Sequence, residues 1–136
     1  IENIDVSMVK CLLVPGGDPH EKIKDQTHQP LMKQLLQSAN SRGVLIGAIC
    51  AGPAILGKYE ILKGKKFTHG YGDSHKDYLA SLWQGATFTD RLLEVDGTIV
   101  TAKPSGHIDF GLEVAALAGA INPEQRKSLI CFYKGV

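Results

Sequence analysis

Short apolar runs alternate with amphipathic and polar segments along the first half of the chain. Cys11–Val14 is apolar and runs into a Pro-Gly-Gly sequence at 15–17, which predicts a buried strand followed by a tight loop. Leucines recur at helical spacing within residues 30–40, directly after a proline, so a helix is expected there. Residues 44–49 are apolar without alternation, which is typical of a parallel strand covered by helices on both faces.

The second half of the chain continues this alternation. Asp96-Gly97 separates two runs of β-prone residues, which predicts a hairpin with a type I′ turn. The other expected elements are a short helix at 54–56, a turn and brief strand at 63–68, a helix capped by Ser74, a helix at about 108–117 and a last helix from Pro123. This order predicts an α/β fold, and 136 residues correspond to one domain, 1–136.

Composition excludes several classes of protein. Hydrophobic residues make up 43% and charged residues 21%, which argues against disorder. Fifteen Lys and Arg against fourteen Asp and Glu give a formal net charge of +1, so no nucleic-acid or membrane partner is indicated. Three widely spaced cysteines fit neither a disulfide framework nor a zinc ribbon, and no signal peptide precedes them, which favours the cytoplasm. Because the chain opens on Ile1 rather than Met, its natural N-terminus is expected to be missing.

Cys50 stands where the apolar strand is expected to give way to a helix. Small residues surround it in the segment Gly47–Pro53, as the crowded backbone of a nucleophile elbow requires. Unpaired N–H groups at a helix N-terminus favour the thiolate, which is the reactive form. The alternative is that Cys50 is a small buried hydrophobic residue, and spacing alone leaves both interpretations open. Cys11 and Cys131 are expected to be structural.

Several segments resemble the ThiJ/PfpI superfamily, which contains the Parkinson's-disease-associated deglycase and is distantly related to class I glutamine amidotransferases. In the family's order, they are Leu12–Gly17, Gly47–Pro53, Thr68-His69, and Val95–Ala102 followed by Asp109-Phe110. The resemblance implies a flavodoxin-like three-layer sandwich with a mostly parallel sheet, usually assembled as a homodimer.

The resemblance also implies the roles of residues around the cysteine. Cys50 would be the nucleophile, and the backbone N–H groups of Gly17 and Ala51 would form an oxyanion pocket, with Gly16 lining the site. Both loops would lie at the carboxyl ends of neighbouring strands, where such donors could act together.

Two histidines are candidates for the same site. His69 matches a family histidine close to the cysteine and could orient the thiol or transfer a proton, unless it is only a polar loop residue. His107 lies in a loop that is one residue shorter than the family's, so a site-lining role stays open. No metal or organic cofactor is expected, and the remaining histidines are expected to be solvated: His20, His28 and His75.

Two departures from the family pattern bear on activity. Protease-like members carry a histidine directly after the cysteine, where this chain has Ala51, so their catalytic dyad does not transfer. A family glutamate that hydrogen-bonds the cysteine comes from initial strands that have no counterpart before Ile1, and Glu2 lies too close to the Pro-Gly-Gly strand to replace it. The domain is therefore expected to lack its first βα units here; the glutamate either lies in a missing segment, which the absent Met favours, or has been lost.

The leading hypothesis is a cysteine-dependent, cofactor-free enzyme that acts on small reactive aldehydes such as methylglyoxal, or on their adducts, as a glyoxalase III or deglycase does. One alternative is a redox-sensing stress chaperone, since a tuned thiolate oxidises readily. Another is an intracellular cysteine peptidase or amidase. The substrate stays open, because similar elbows serve different chemistries.

Overall fold

A computed structural model of the chain describes residues 3–18, 28–72 and 75–136. The expectations for Glu2, His20 and the helix cap at Ser74 therefore lie outside the described residues.

Two sheets organise the described strands. The strands are β1 (Cys11–Val14), β2 (Leu45–Ile49), β3 (Lys66–Phe67), β4 (Thr87–Phe88), β5 (Leu93–Asp96) and β6 (Ile99–Ala102). The main sheet has the order β1-β2-β6-β5, in which β2 is parallel to both of its neighbours and β5 is antiparallel to β6. β3 and β4 form a second, parallel pair. The uninterrupted apolar sequence of β2 is explained by its position between two strands and beneath both helical layers.

Helices cover both faces of the main sheet. They are α1 (Gln29–Ser41), α2 (Pro53–Lys58), α3 (Lys76–Ala80), α4 (His107–Leu117) and α5 (Pro123–Lys134), with 3₁₀ turns at Val6–Met8, Ser81–Trp83 and Pro104–Gly106. One core joins α1, α2 and both sheets through Leu36, Ile46, Leu56, Phe67 and Ile99. A second core lies under α4 and contains Leu45, Val100, Ala102, Phe110 and Val114. This confirms the α/β fold with a mostly parallel sheet. None of the helices in the described segments has both the length and the hydrophobicity needed to cross a bilayer.

The hairpin forms as expected, but its turn is shifted by one residue. Asp96 still pairs with Ile99, so the two turn residues are Gly97 and Thr98, and Gly97 alone of these two has a positive φ, 62°. The predicted type I′ turn at Asp96-Gly97 is therefore wrong. Asp96 stays in the ladder while its Oδ2 accepts a hydrogen bond from the backbone N–H of Lys66 at 2.9 Å.

The region between β3 and β5 differs most from expectation. α3 begins at Lys76, with His75 at the N-cap position, and makes no side-chain cap hydrogen bond. β4 was not predicted, because Thr87-Phe88 is too short for a recognisable alternation. Its pairing with β3 brings Phe88 close to Phe67, with ring centroids 5.8 Å apart.

Candidate active site

Cys50 occupies a strained turn directly after β2. Its φ is 62°, in the left-handed region that costs a residue with a side chain roughly 1–2 kcal/mol. Hydrogen bonds hold this turn from several sides: the N–H of Cys50 donates to Ala102 O at 2.9 Å, and the N–H of Gly70 donates to Cys50 O at 2.8 Å. The N–H of Gly52 donates back to Ile49 O at 2.9 Å. Cys50 is intermediate between buried and exposed.

Two glycines let neighbouring loops approach the cysteine closely. A Cβ on Gly16 would lie 2.7 Å from Cys50 Cβ and 3.2 Å from Cys50 Sγ. A Cβ on Gly70 would lie 2.5 Å from Pro104 Cδ and 3.1 Å from Cys50 Cα. The loops that follow β1, β3 and β6 thus meet at the elbow. This is the carboxyl edge of the parallel strands, where open α/β sheets place their sites.

Two backbone N–H groups, one at the elbow and one in the adjoining Pro-Gly-Gly loop, lack an acceptor among the described residues. Within the described part of the chain, the N–H groups of Gly17 and Ala51 donate to no other group, whereas those of Cys50 and Gly52 are engaged. Gly17 has a φ of 129°, a conformation that glycine adopts readily. The arrangement leaves two donors available at the residues that, by the family resemblance, would form an oxyanion pocket.

A cavity of about 370 Å³ lies against this loop. Residues 12–18 form one wall, and Ala51 and Ile55 form another. α1 contributes Met32, Leu35 and Leu36. Its lining is mostly apolar and its volume lies in the range of small-molecule sites, so the two free N–H groups adjoin a space that could hold a small organic ligand.

The side chain of His69 lies in an aromatic cluster. Its ring stacks on Phe88, with centroids 4.5 Å apart, and on Trp83, with centroids 5.3 Å apart. Burial lowers the pKa of His69; the charge of Asp90 acts to raise it, and the charge of Lys103 lowers it further. In the described residues, no hydrogen bond joins His69 to Cys50. The structure therefore brings the backbone next to His69 to the elbow, and the orienting or proton-transfer role stays a prediction.

His107 lies farther out in the site region. It is exposed at the first residue of α4, and its Nδ1 lies 3.2 Å from Pro104 O. Pro104 is also the residue whose ring approaches Gly70. His107 thus contacts Pro104, which in turn lies against Gly70 beside the elbow, and its site-lining role stays a prediction.

Three polar residues that sequence reasoning missed support the elbow. Tyr71 donates its phenol hydrogen to Ala51 O at 3.3 Å. The buried Thr68 donates its N–H to Thr101 Oγ1 at 2.9 Å and its hydroxyl to Arg91 O at 2.6 Å. These hydrogen bonds fix the ends of the segment 68–71 that carries Gly70. The only feature of the sequence that could have indicated this support was an aromatic residue, Tyr71, between two glycines after His69.

The three cysteines differ in environment. Cys11 is partly buried in β1, and burial raises the pKa of its thiol. Cys131 is exposed on α5, which does not support its expected structural role. This helix buries none of its residues completely, because it lies outside α4 rather than against the sheet.

The described residues contain no group of three or more His, Cys, Asp or Glu side chains arranged to hold a metal ion.

The fold and the elbow define an α/β protein with a cysteine on a strained strand-to-helix turn. Residues 1–117 match the family model described as the DJ-1/PfpI family. The chain belongs to this family.

Several relatives of the chain carry names, and these names describe different functions. Protein DJ-1alpha of Drosophila melanogaster is 32% identical over 127 residues, which are 90% of this chain and 55% of that protein. The Bacillus subtilis protein named "Putative cysteine protease YraA" is 33% identical over 104 residues, 76% of this chain and 57% of the relative. The "Glutathione-independent glyoxalase DJR-1.2" of Caenorhabditis elegans is 29% identical over 121 residues, 88% of this chain and 59% of the relative. The chain thus spans somewhat more than half the length of these relatives.

Solved structures confirm the fold. The DJ-1 superfamily protein Atu0886 from Agrobacterium tumefaciens superposes with a TM-score of 0.75 at 29% identity, covering 98% of this chain and 69% of that one. This similarity supports the flavodoxin-like sandwich that the sequence motifs implied.

Proposed function

We propose that the protein is a cysteine-dependent enzyme that acts on small reactive aldehydes, or on their early adducts, without a metal or organic cofactor. The observation that carries the proposal is the pairing of an accessible cysteine on a strained turn with two unengaged N–H groups, those of Gly17 and Ala51. The name of the Caenorhabditis elegans glyoxalase among the relatives supports the same chemistry.

The geometry suggests how a 2-oxoaldehyde such as methylglyoxal would react. The Cys50 thiolate adds to the aldehyde carbon, a C–S bond forms, and the carbonyl electron pair moves to oxygen. The N–H groups of Gly17 and Ala51 would donate to this oxyanion, and each such donor can contribute about 2.7–4 kcal/mol to the transition state.

The remaining steps balance without an external oxidant. The hydrogen on the former aldehyde carbon leaves as a proton to water, its electron pair forms the carbon–carbon double bond of an enediol, and the ketone oxygen takes up a proton from water. Protonation at the neighbouring carbon then leaves an alcohol there and a thioester at the sulfur. One carbon is oxidised and the other is reduced. Water hydrolyses the thioester, which releases lactate and restores the Cys50 thiolate.

The test is lactate formation from methylglyoxal by the purified chain. We expect turnover that is abolished in Cys50→Ala and retained in Cys131→Ala, which removes an exposed thiol far along the chain. Circular dichroism checks that both variants fold. Absence of turnover in the unmodified protein, or equal turnover in Cys50→Ala, would refute the proposal.

A redox-sensing role is the second candidate, because Cys50 is accessible while burial raises the pKa of Cys11. Mild peroxide would oxidise the Cys50 thiolate to a sulfenic acid, with peroxide reduced to water. Mass spectrometry of the Cys131→Ala variant should then find added oxygen on Cys50 and little on Cys11. Equal oxidation of both thiols would contradict a tuned sensor.

A peptidase role is less well supported. The name of the Bacillus subtilis relative favours it, but Ala51 occupies the position at which protease-like members carry a histidine. No hydrogen bond in the described residues gives Cys50 a histidine partner in its place.

A further inference from the structure

The segment that follows His69 holds the elbow through two successive peptide groups. The N–H of Gly70 donates to Cys50 O at 2.8 Å, and the phenol of Tyr71 donates to Ala51 O at 3.3 Å. Cys50 O and the N–H of Ala51 belong to one planar, trans peptide group, in which they point in opposite directions. Holding Cys50 O therefore aims the N–H of Ala51 away from Gly70.

The phenol of Tyr71 helps to hold the next peptide group, whose other end, the N–H of Gly52, donates to Ile49 O at 2.9 Å. Ala51 O also accepts from the N–H of Ala54 at 3.1 Å, which is the first turn of the short helix. With the peptide groups on both sides of Ala51 held, the dihedral angles of this residue have little freedom. The direction of its N–H then depends on Tyr71 as well as on Gly70.

Tyr71 also determines the state of His69. Its backbone N–H donates to His69 Nδ1 at 3.1 Å. A backbone N–H can only donate, so Nδ1 carries no proton, and the neutral ring carries its proton on Nε2. Burial lowers the pKa of His69, which favours this neutral ring. His69 is thus an Nε2–H donor, with its Nδ1 lone pair already used.

We propose that Tyr71 is a positioning residue of the candidate active site: its phenol holds the Ala51 peptide so that the Ala51 N–H faces the reacting oxygen, and its backbone N–H keeps His69 as an Nε2–H donor rather than a general base. The catalytic part of this inference rests on the proposed aldehyde chemistry. The structural part does not.

Tyr71→Phe tests the phenol, because it removes the hydroxyl and keeps the ring that lies edge-on to His69 at 5.6 Å. Tyr133→Phe makes the same chemical change on the exposed face of α5 and is the matched control. We expect kcat for methylglyoxal to fall roughly three- to tenfold in Tyr71→Phe, the effect of one neutral hydrogen bond, with KM unchanged.

The rate of Cys50 alkylation by iodoacetamide separates positioning from general damage. Alkylation forms no oxyanion, so this rate should stay within about twofold of the original if the phenol acts through the Ala51 N–H. A merely structural role would slow both reactions or neither. An unchanged kcat, or a parallel loss of alkylation, would overturn the proposal.

NMR tests the positioning role of Tyr71 without requiring turnover of a substrate. Nitrogen-15 spectra should show the proton of neutral His69 on Nε2, and the Ala51 amide resonance should shift in Tyr71→Phe but not in Tyr133→Phe. A proton on Nδ1, or an unchanged Ala51 resonance, would overturn the inference. If the unmodified protein forms no lactate while both NMR results hold, the proposed function fails and the positioning role of Tyr71 stands.

Discussion

Gly16→Ala places one methyl group against the cysteine. The added Cβ would lie 2.7 Å from Cys50 Cβ, about 0.7 Å short of the 3.4 Å at which ordinary contact begins, and 3.5 Å from Ile49 O. Neither neighbour is the end of a flexible side chain. Cys50 cannot rotate away easily, because its N–H and its carbonyl are both hydrogen-bonded to other loops. Either the Pro-Gly-Gly loop or the elbow has to move.

The magnitude follows from this geometry. Overpacking by one methylene in a well-packed region costs typically about 1–3 kcal/mol, so the free energy of unfolding should fall by that amount. A displacement approaching 1 Å between nucleophile and oxyanion donors can cost about 100-fold in rate. We therefore expect turnover of methylglyoxal to fall more than protein stability alone explains, with folded Gly16→Ala still present in the assay.

The measurements are urea unfolding, lactate formation and iodoacetamide labelling of Cys50. Gly111→Ala is the control, because a Cβ at this exposed helical position meets nothing within 4 Å. Replacing a helical glycine by alanine should stabilise the protein by roughly 0.5–1 kcal/mol. A Gly16→Ala protein that matches the original in stability, turnover and labelling would refute the close approach of the two loops.

Three further predictions concern the support of the site and its assembly. Thr101→Val removes the acceptor of the buried Thr68 N–H, so the free energy of unfolding should fall by about 1–3 kcal/mol. Thr101→Ser keeps a hydroxyl and should lose less. An unchanged free energy in urea unfolding of Thr101→Val would contradict this prediction. Because burial lowers the pKa of His69 in the folded state, the unfolded chain binds more protons, and the stability present above about pH 6.5 is lost as the pH falls below it. The free energy of unfolding of His69→Phe should therefore fall less between pH 7 and 5 than that of the original protein. An equal fall in both proteins would count against a lowered His69 pKa. Light scattering should give a homodimer of the 14.7 kDa chain, as the family resemblance implies, and a monomer at all concentrations would exclude it.

The parts of the fold that the sequence predicts are those determined by neighbouring residues. The apolar run of β2, the small residues around Cys50 and the proline that begins α2 are all local, and the elbow follows from them. The hairpin turn shows where local evidence ends. Asp96-Gly97 has the composition of a type I′ turn, but Asp96 stays paired in the ladder. There its side chain accepts a hydrogen bond from the backbone N–H of Lys66, 30 residues away.

The support of the site is non-local in the same way. Tyr71 reaches Ala51 across 20 residues, and Thr68 reaches Thr101 across 33. Periodicity and spacing carry no information about such contacts, since they depend on how the loops after β3 and β6 pack on the elbow. The orientation of His69 depends on Trp83 and Phe88, and the latter belongs to a strand too short to be recognised.

The two leading functions require different things of the backbone. Oxidation of a thiolate needs only an accessible sulfur, whereas addition to a carbonyl also needs donors for the oxygen that becomes charged. More than nine in ten buried backbone N–H groups in proteins have a partner. In the described residues the N–H of the buried Ala51 is an exception to that rule, whereas Gly17 lies in an exposed loop to which the rule does not apply. Unengaged donors beside the sulfur favour the thiolate that either function needs, and an enzyme that adds the thiolate to a carbonyl also needs them for the oxyanion. The unengaged N–H groups are therefore compatible with both functions, and lactate formation from methylglyoxal is the measurement that separates them.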